Sequence, residues 1–489
     1  MEPRQLCFAY ADSPEGGGDE QNSGGPEGRK YLLQTANTRK ATGSTATAAH
    51  GLLEEVASPG NLADALLHVA RKKGAGGVDG INVDEVVAVS HRLLPRLHKD
   101  LLKGRYQPGD VRRVWIPKPG GGQRGLGIPN VVDRWVQQAV HQILMPVFEP
   151  GFHPSSHGFR PRRGAGTAIA EAKGYVAEGL TTIVSVDLSK FFDRVNHQRL
   201  LSRLSRQVKD SGLLRLIHQM LKAKVVMPDG TRVSSDEGTP QGGPLSPLLS
   251  NIVLDELDWE LQRRGLRFVR YADDFNIFVA SRRAGERVMA SLTKFITRRL
   301  RLKVNEDKSA VTTPEEVHFL GFRFYRRQDG GVAVLLSKRS RKRLDSKIRE
   351  LTPRNLGMSL ERCIKDINVY LKGWYGHFRL CTEGEKYLLG RFDAHIRRRL
   401  RAIIVRQRKR PRYLFRHLVE RGVSARLAAR GAWCDRGPWY KSNHRAMTRA
   451  YRNAWFHARL FSLKKALNER YAKPKVPIQR TLPGFEIPT

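Results

Sequence analysis

The sequence has few cysteines and no long apolar run, and each absence excludes a class of protein. Four cysteines occur in 489 residues, with no C-x-x-C pair, so neither a zinc ribbon nor a cysteine-rich nuclease module is predicted. A disulfide framework is not expected either, which fits a reducing compartment. The N-terminus has no apolar signal core, and no stretch is long enough to span a membrane. We therefore expect an intracellular protein without a membrane partner.

Acidic residues are scarce relative to basic ones. The chain has 47 Asp and Glu against 87 Lys and Arg, which gives a net charge of +40. The pI is near 10.6, and the mean hydropathy is −0.47. Charge of one sign raises the self-repulsion of a folded chain, and a polyanion relieves it. Solubility alone does not require so large an excess, so nucleic acid is the predicted partner.

Two adjacent aspartates interrupt a pair of strand-like runs. Residues 267–271 and 275–279 are rich in β-formers, and Asp273 and Asp274 lie between them. This pattern predicts a β-hairpin with the aspartates at its turn. Two neighbouring carboxylates repel each other unless a cation joins them, and divalent metal ions bind carboxylate oxygens. Taken alone, the pair is also typical of an exposed turn.

Three further features bear on whether the aspartate pair binds a metal ion or is an exposed turn. The apolar run 182–186 predicts a strand that ends at Asp187, which is either a metal ligand or a helix N-cap. Lys118 and Arg124 flank the tip of a hairpin predicted over 111–128, where two cations suit a triphosphate, although a solvated basic loop has the same composition. Residues 74–80 form a glycine-rich loop without the Lys-Ser/Thr ending of a Walker loop.

The order of these elements predicts an α+β fold, with an antiparallel sheet backed by helices and three carboxylates at one edge of the sheet. A flexible, glycine-rich leader is expected at the N-terminus, and basic helical regions are expected after residue 336. Helices are predicted over 131–147 (with Pro146 near its end), 165–179, 198–222 and 284–302, and another is predicted to begin at Pro247 with Ser246 as its cap. A hairpin is predicted over 225–233 and a strand pair over 317–322. An apolar core stripe is expected over 364–378, and a Pro-rich tail begins at residue 472.

Several motifs, in their order along the chain, resemble those of a known family. Tyr271-Ala-Asp-Asp274 resembles the signature of reverse transcriptases. Consecutive blocks similar to those of group II intron reverse transcriptase/maturases are Ile116–Pro129, His157-Gly-Phe-Arg-Pro161, Val186–His197 and Thr239–Ile252, followed by Phe319-Leu-Gly-Phe322 and the maturase-like Gly373–Phe378. The resemblance covers residues 50 to 460. It departs at Arg162–Ala165, where the family pattern differs, and no C-x-x-C pairs of an HNH endonuclease follow.

The resemblance implies a right-hand polymerase: fingers and palm, an α-helical thumb/maturase domain, and a helical C-terminal DNA-binding region. The implied boundaries are 1–48 for the leader, 49–330 for fingers and palm, 331–412 for the thumb/maturase domain, and 413–489 for the DNA-binding region and tail. The implied function is RNA-directed DNA polymerisation, with intron splicing and mobility by target-primed reverse transcription. Two alternatives stay open: a domesticated reverse transcriptase in DNA repair or defence, and an RNA-binding maturase that acts in splicing only.

The resemblance also assigns partners and residues. The partners are the group II intron RNA, target DNA, an RNA template/DNA primer duplex and dNTPs, in a ribonucleoprotein of the bacterial cytoplasm that joins the nucleoid during insertion. Two Mg²⁺ ions, replaceable by Mn²⁺, are the implied cofactors. The implied site residues are Asp187, Asp273 and Asp274 as catalytic metal ligands, the Leu188 carbonyl as a further metal ligand and dNTP contact, Lys118, Arg124, Phe192 and Gln241 around the dNTP, and Gly77, Arg160 and Lys308 on template RNA.

Overall fold

The chain divides into two compact units. The computed structural model describes residues 26–42, 51–117, 121–234, 236–239, 241–353 and 357–472. The first unit is Met1–Pro314 and the second is Glu315–Thr489. The first unit therefore ends earlier than the boundary at residue 330 that the sequence predicts. Lys118, most of the predicted leader and the Pro-rich tail after Ala472 lie outside the described residues.

Helices and short strands alternate in the first unit. Its helices in the described ranges are α1 Pro26–Thr42, α2 Leu52–Ala57, α3 Pro59–Arg71, α4 Val83–Ala88, α5 Ser90–Leu102, α6 Val131–Phe148, α7 Ala165–Ala177, α8 His197–Gln207, α9 Ser211–Leu221, α10 Ser246–Arg263 and α11 Arg282–Phe295. Its strands are β1 Val111–Pro117, β2 Gln123–Ile128, β3 Thr182–Asp187, β4 Val225–Val226, β5 Arg232–Val233, β6 Arg267–Tyr271, β7 Asp274–Val279 and β8 Ala310–Thr312.

Helix α1 lies inside the segment for which the sequence predicts a flexible leader, so that prediction is wrong for residues 26–42. Leu32 is fully buried and Ala36 is 4% exposed, one helical turn apart, and α1 packs against α3. The glycine-rich, acidic composition just upstream gives no sign of this short apolar face.

One antiparallel sheet carries the acidic residues. Its strand order is β6-β7-β3-β8, and helices α7, α10 and α11 pack against its strands. Strand β3 pairs with β7 in a register that sets Asp187 opposite Asp274, and with β8 from Ile183 to Ser185. The predicted hairpin over 267–280 and the α+β class are confirmed.

The predicted hairpin over 111–128 is also present, in a second sheet of order β2-β1-β4-β5. The predicted helix boundaries differ at several points. Helix α6 continues through Pro146 to Phe148, and the predicted helix 198–222 is two helices, the second capped by Asp210. Ser246 begins α10 instead of capping it, since Leu245 already has helical dihedrals, and α11 ends at Phe295 in a π-turn.

The second unit begins with a hairpin and continues as helices. Its elements in the described ranges are β9 Phe322–Arg326, β10 Val332–Leu336, α12 Lys338–Leu351, α13 Leu360–Phe378, α14 Lys386–Gln407, α15 Pro411–Glu420, α16 Ala425–Ala432, α17 Pro438–Lys441, α18 Arg445–Ala450, α19 Asn453–His457 and α20 Leu463–Tyr471. None of the helices in the described ranges is long and apolar enough to cross a membrane.

Two predictions for this unit need correction. The strand pair predicted over 317–322 is a tight turn in which Phe319 and Phe322 bridge each other; the strands start only at Phe322. The Ser337 N–H and hydroxyl groups of this unit hold the turn, since Ser337 N donates to the Gly321 carbonyl. The apolar stripe on α13 is buried at Ile364, Ile367 and Leu371, but Val369 is 67% exposed and does not belong to the core.

Candidate active site

The aspartate pair occupies a tight turn between β6 and β7. Ala272 opens the turn with φ 57, in the left-handed region. Asp273 follows in the turn, and Asp274 is the first residue of β7, opposite both Tyr271 on β6 and Asp187 on β3. Directly opposed residues of paired strands project from the same face of a sheet. Asp187 and Asp274 therefore share a face, with Asp273 at its rim.

The three carboxyl groups interact electrostatically. Burial raises the pKa of Asp274 to about 7, with further contributions from Asp273 and Asp187. Burial also raises the pKa of Asp273, and Arg124 acts in the opposite direction. Carboxylates that raise one another's pKa are destabilised in their charged form until a cation neutralises them. The set therefore has the electrostatic character of a cation site.

A buried ion pair holds the strand that leads into the turn. The Arg270 guanidinium and the Asp258 carboxylate are both fully buried and lie 2.5 Å apart, with Arg270 Nε 2.8 Å from Asp258 Oδ1. The guanidinium also donates to the Asn251 side-chain oxygen at 2.9 Å and to the Ala272 carbonyl at 3.0 Å. These bonds tie α10 to the backbone of the catalytic turn.

The segment His157–Pro161 supports the same turn from the other side. The His157 N–H donates to the Arg270 carbonyl at 2.9 Å, and the Arg270 N–H donates to the Ser155 carbonyl at 2.9 Å. A Cβ atom at Gly158 would lie 2.3 Å from the Ala272 nitrogen, so only glycine fits there. Asn251 donates to the Gly158 carbonyl at 2.9 Å. The segment is a backbone support for the aspartate pair.

Arg160, in the same segment, is held by internal acceptors, and its predicted template contact stays a prediction. Its side chain is buried, and Nε donates to both carboxylate oxygens of Glu149 at 3.1 Å. Its Nη1 donates to the carbonyls of His153 at 2.6 Å and Ser156 at 2.9 Å. Because these internal acceptors use the guanidinium donors, Arg160 has a structural role in this conformation.

Asp187 is anchored by a loop that follows α11. The Ser309 hydroxyl accepts the Asp187 N–H at 3.0 Å, and the Asp187 carbonyl accepts the Asn305 N–H at 2.8 Å. Ser189 N donates to the Lys303 carbonyl at 2.8 Å, so neither backbone bond uses the carbonyl of Leu188, which lies between them. The predicted metal contact of that carbonyl stays a prediction.

Lys308 lies beside the acidic cluster. Its Nζ is 3.6 Å from Asp187 Oδ2, and the two side chains are 62% and 43% exposed. The template contact predicted for Lys308 stays a prediction. The ammonium group partly neutralises a site that otherwise collects negative charge.

The fingers hairpin reaches the same site. Arg124 Nε donates to the Gln241 side-chain oxygen at 3.0 Å, and the Gly127 N–H donates to the Gln241 carbonyl at 2.8 Å. Because Arg124 also acts on the pKa of Asp273, its charge lies close to the acidic cluster. The structure thus brings Arg124 and Gln241 together beside the aspartates, as the dNTP assignment requires.

Phe192 and Gly77 are both buried. Phe192 packs edge to face on Phe191, and its carbonyl accepts the Thr239 N–H at 2.6 Å, which joins it to the loop that carries Gln241. Gly77 lies against Asn130, because a Cβ there would be 2.2 Å from the Asn130 side-chain oxygen. The need for glycine at 77 is thus explained by packing, while its template contact stays a prediction.

Sequence reasoning missed the residues that support the site. Ser309 and Asn276 lie outside the family blocks, and Asn251 lies inside the block Thr239–Ile252 but was given no role; Asn276 is fully buried and donates to Asp274 Oδ1 at 3.4 Å. Their only sequence signal is a polar residue inside an apolar element, as with Asn276 in Phe275–Val279. A buried polar residue of this kind needs a specific partner.

The donor set fits hard divalent cations. Carboxylate oxygens are the ligands that Mg²⁺ prefers, and Mg²⁺ keeps waters and binds substrate phosphates as well. Within the described residues, no group of three or more His, Cys, Asp or Glu side chains is placed to hold a metal ion, and this includes the three aspartates. A Mg²⁺ ion at Asp187, Asp273 and Asp274 would therefore need water and substrate oxygens as further ligands, as is usual for this ion.

Comparisons with known proteins agree with this geometry. A model described as "Reverse transcriptase (RNA-dependent DNA polymerase)" matches residues 116–324, and one described as "Group II intron, maturase-specific domain" matches 341–422. Protein YkfC of Escherichia coli is 32% identical over 65% of this chain and 92% of its own length. The group II intron-encoded protein LtrA of Lactococcus lactis is 29% identical over 53% of this chain and 54% of its own.

A third relative, the putative COX1/OXI3 intron 2 protein of Saccharomyces cerevisiae, is 30% identical over 59% of this chain. The match covers 33% of that protein's length, so the chain spans about a third of this relative and about half of LtrA. The two family matches follow each other along the chain in the order polymerase, then maturase domain. The match to YkfC covers nearly all of that relative's length. The chain belongs to the family of group II intron-encoded reverse transcriptase/maturases.

Proposed function

We propose that the protein is an RNA-directed DNA polymerase that extends a primer 3′-hydroxyl with dNTPs by two-metal nucleotidyl transfer. The observation that carries this proposal is the convergence of Asp187, Asp273 and Asp274 at one sheet edge, where burial and the charges of Asp273 and Asp187 raise the pKa of Asp274. Bound Mg²⁺ ions would polarise the attacking hydroxyl and the leaving phosphates there.

The side chains around the aspartates have complementary roles. Arg124, held by Gln241, offers a guanidinium to the dNTP phosphates, which are the groups that a planar fork of donors binds best. Lys308, on Asp187, balances negative charge until substrate and cations arrive. Phe192 packs under this region and restricts the space for a ribose 2′-hydroxyl, which favours dNTPs.

The remaining partners follow from the family and the charge. We infer that the second unit binds the intron RNA and target DNA, assists splicing and supports insertion by target-primed reverse transcription. The match of a maturase model to residues 341–422 and the net charge of +40 support this inference.

Primer extension tests the polymerase proposal. On an RNA template with a DNA primer, dNTPs and Mg²⁺, the wild-type chain should extend the primer. Asp273→Asn should lower the rate by at least about 10²-fold, the scale seen when one preorganised electrostatic group is lost. Asp307→Asn is the matched control, since it makes the same change at an exposed aspartate outside the cluster.

Two outcomes would contradict the proposal. Equal loss in Asp307→Asn would mean that the effect is not specific to the cluster. A wild-type chain that binds intron RNA tightly but extends no primer would identify it as an RNA-binding maturase without polymerase activity.

A further inference from the structure

The second unit contains a large basic cavity away from the aspartates. Its volume is about 690 Å³, within the range of pockets that hold small organic ligands. Helices α12 and α14 and the residues Asn443 and Asn453 line it. The lining includes five arginines and one aspartate, so its charge is strongly positive. A cavity with this lining suits an anionic ligand of moderate size.

Part of this positive charge has no carboxylate to neutralise it. Arg349 is paired with Asp345 at 2.9 Å. Arg397 has Asp393 as its nearest acidic neighbour, but Asp393 accepts the N–H groups of Leu463 and Lys464 at the start of α20. No ion pair of Arg391 or Arg397 is seen within the described part of the chain. These guanidinium groups are therefore available to an external anion.

Arg398 is held in a fixed orientation beside them. Its guanidinium lies over the Trp439 ring, 4.0 Å from the centroid, and Nη2 donates to the Trp439 carbonyl at 3.4 Å. Its Nε is buried and finds no hydrogen-bond partner among the described residues. The same holds for His395 Nε2, which is 3.6 Å from the nearest Asp345 oxygen, beyond hydrogen-bond range. A buried donor without a partner is costly, and a bound acceptor would remove that cost.

The rest of the lining is apolar or carries amides. Leu388 and Phe392 supply an apolar wall, and Asn443 and Asn453 supply amides that can both donate and accept. Arginine, aromatic and amide groups in one pocket are the combination that recognises an unstacked base together with its phosphate. A base inside a continuous duplex is stacked on both sides and cannot enter this pocket. An unpaired nucleotide offers both a phosphate for the arginines and an unstacked base for the amides and the apolar wall.

We propose that this cavity binds one unpaired nucleotide of the RNA that the protein holds, with Arg397 and Arg398 on its phosphate and Asn443 and Asn453 at the base edge. The proposal rests on the RNA-binding part of the proposed function, and it adds the structural element that is recognised: a bulged or flipped nucleotide within a helix.

The first test uses the wild-type full chain and two RNA hairpins that differ only by one unpaired uridine. The bulged hairpin should bind about tenfold more tightly, because one base stacked in a protein site contributes on that scale. With 4-thiouridine at the bulge, photocrosslinking should label the segment Lys386–Gln407. Equal affinity for both hairpins, or crosslinks confined to other segments, would overturn the proposal.

The second test uses Arg398→Lys, which keeps the charge but loses the planar fork of donors and the stacking on Trp439. This variant should bind both hairpins with similar affinity, so that the tenfold preference falls to about twofold or less. Arg287→Lys, the same change at an exposed arginine of α11, is the matched control and should keep the full preference. A loss of affinity for both hairpins in equal proportion would show charge attraction only and would contradict the proposal.

A DNA hairpin with the same bulge tests the assignment to RNA. An equal preference for the DNA bulge would overturn that assignment, whereas a preference confined to RNA supports it. Failure of the cavity proposal and failure of the polymerase proposal remain distinguishable. Primer extension without bulge preference contradicts only the cavity proposal, and bulge preference without primer extension contradicts only the polymerase proposal.

Discussion

The two units satisfy their cations in different ways. Residues 315–489 carry 42 Lys and Arg against 14 Asp and Glu, whereas residues 1–314 carry 45 against 33. In the first unit, the buried guanidinium of Arg270 is paired with Asp258 and that of Arg160 with Glu149. In the second, stacking over aromatic rings is more frequent, as with Arg398 on Trp439 and Arg421 on Tyr451. The division is one of degree, since Arg160 also lies over Phe152 and Arg341 of the second unit pairs with Glu385.

This difference indicates that the first unit uses its arginines to position backbone, whereas the second uses them to bind anions. A buried guanidinium with a carboxylate partner fixes backbone geometry, and in the first unit that geometry is the turn that carries Asp273. A guanidinium stacked on a ring is held in place but keeps its full charge and most of its donors. The first unit is thus built to place carboxylates accurately, and the second to present positive charge.

The largest expected difference between the units appears when one paired carboxylate is removed from each. Asp258→Ala leaves Arg270 buried and unpaired, so we expect a loss of about 3–5 kcal/mol in the free energy of unfolding. Asp366→Ala removes the partner of Arg362, which is 66% exposed, and should cost less than about 1 kcal/mol. Urea denaturation of the full chain measures both values. Equal costs would show that the buried pair does not support the first unit.

Salt tests whether the second unit presents its charge to phosphates. If six to ten phosphates are contacted, RNA affinity should fall about 10³-fold or more between 50 and 200 mM monovalent salt. Filter binding or anisotropy at several salt concentrations gives the slope. An affinity that hardly changes over this range would contradict charge-driven binding and would point to a small, shape-specific contact.

Acid should weaken both units through histidines with lowered pKa, among them His141 in the first unit and His318 in the second. Burial, then His68 and Lys72, lowers the pKa of His141 to about 4; burial, then Arg339 and Arg343, lowers that of His318 to about 4. A folded pKa below the unfolded value of about 6.5 means that stability is full above pH 6.5 and is lost as pH falls toward 4.

We expect each of these histidines to cost about 1 kcal/mol of unfolding free energy at pH 5, after allowance for partial exposure. His318→Gln should therefore reduce the loss between pH 7 and pH 5, while its effect at pH 7 reflects only the lost bond to Ser337. Urea midpoints at the two pH values measure this. If the variant loses as much unfolding free energy between pH 7 and pH 5 as the wild type, the loss is due to groups other than His318.

The smallest expected effect concerns a single stacked arginine. Arg421 lies 4.5 Å from the Tyr451 ring centroid and 5.4 Å from that of Trp455. Arg421→Lys should cost about 0.5–1 kcal/mol of stability, because the planar stacking is lost while the charge remains. Thermal unfolding of the two proteins measures the difference. A cost above about 2 kcal/mol would show a hydrogen-bonded role for Arg421 that stacking does not explain.

The catalytic hairpin was predictable because local pattern and chemistry agree there. Alternating β-formers up to Tyr271 and from Phe275 onward define the strands, and an acidic pair between them defines the turn. Asp187 and the fingers hairpin with Arg124 follow from the same kind of signal. The α+β class required only the order of these elements.

The features that the sequence did not predict concern long side chains and weak apolar faces. Arg160 and Lys308 each reach a carboxylate whose position depends on tertiary packing, Glu149 in one case and Asp187, far earlier in the chain, in the other. Sequence spacing contains no information on that choice. Helix α1 was missed because the apolar face that includes Leu32 and Ala36 is short and follows a glycine-rich segment. The turn at Phe319 was missed because its apolar residues resemble a strand.

The register between β3 and β7 has a consequence for insertions and deletions. Side chains alternate across a strand, so a shift of one residue would turn Asp187 to the opposite face of the sheet and bring Val186 or Leu188 opposite Asp274. Strand β8 also pairs with β3, so a shift in the register of β3 would break its hydrogen bonds to β7 and to β8 at the same time. Loss of a single codon within 182–187 would therefore act as a catalytic lesion, even in a chain whose helices and core are complete.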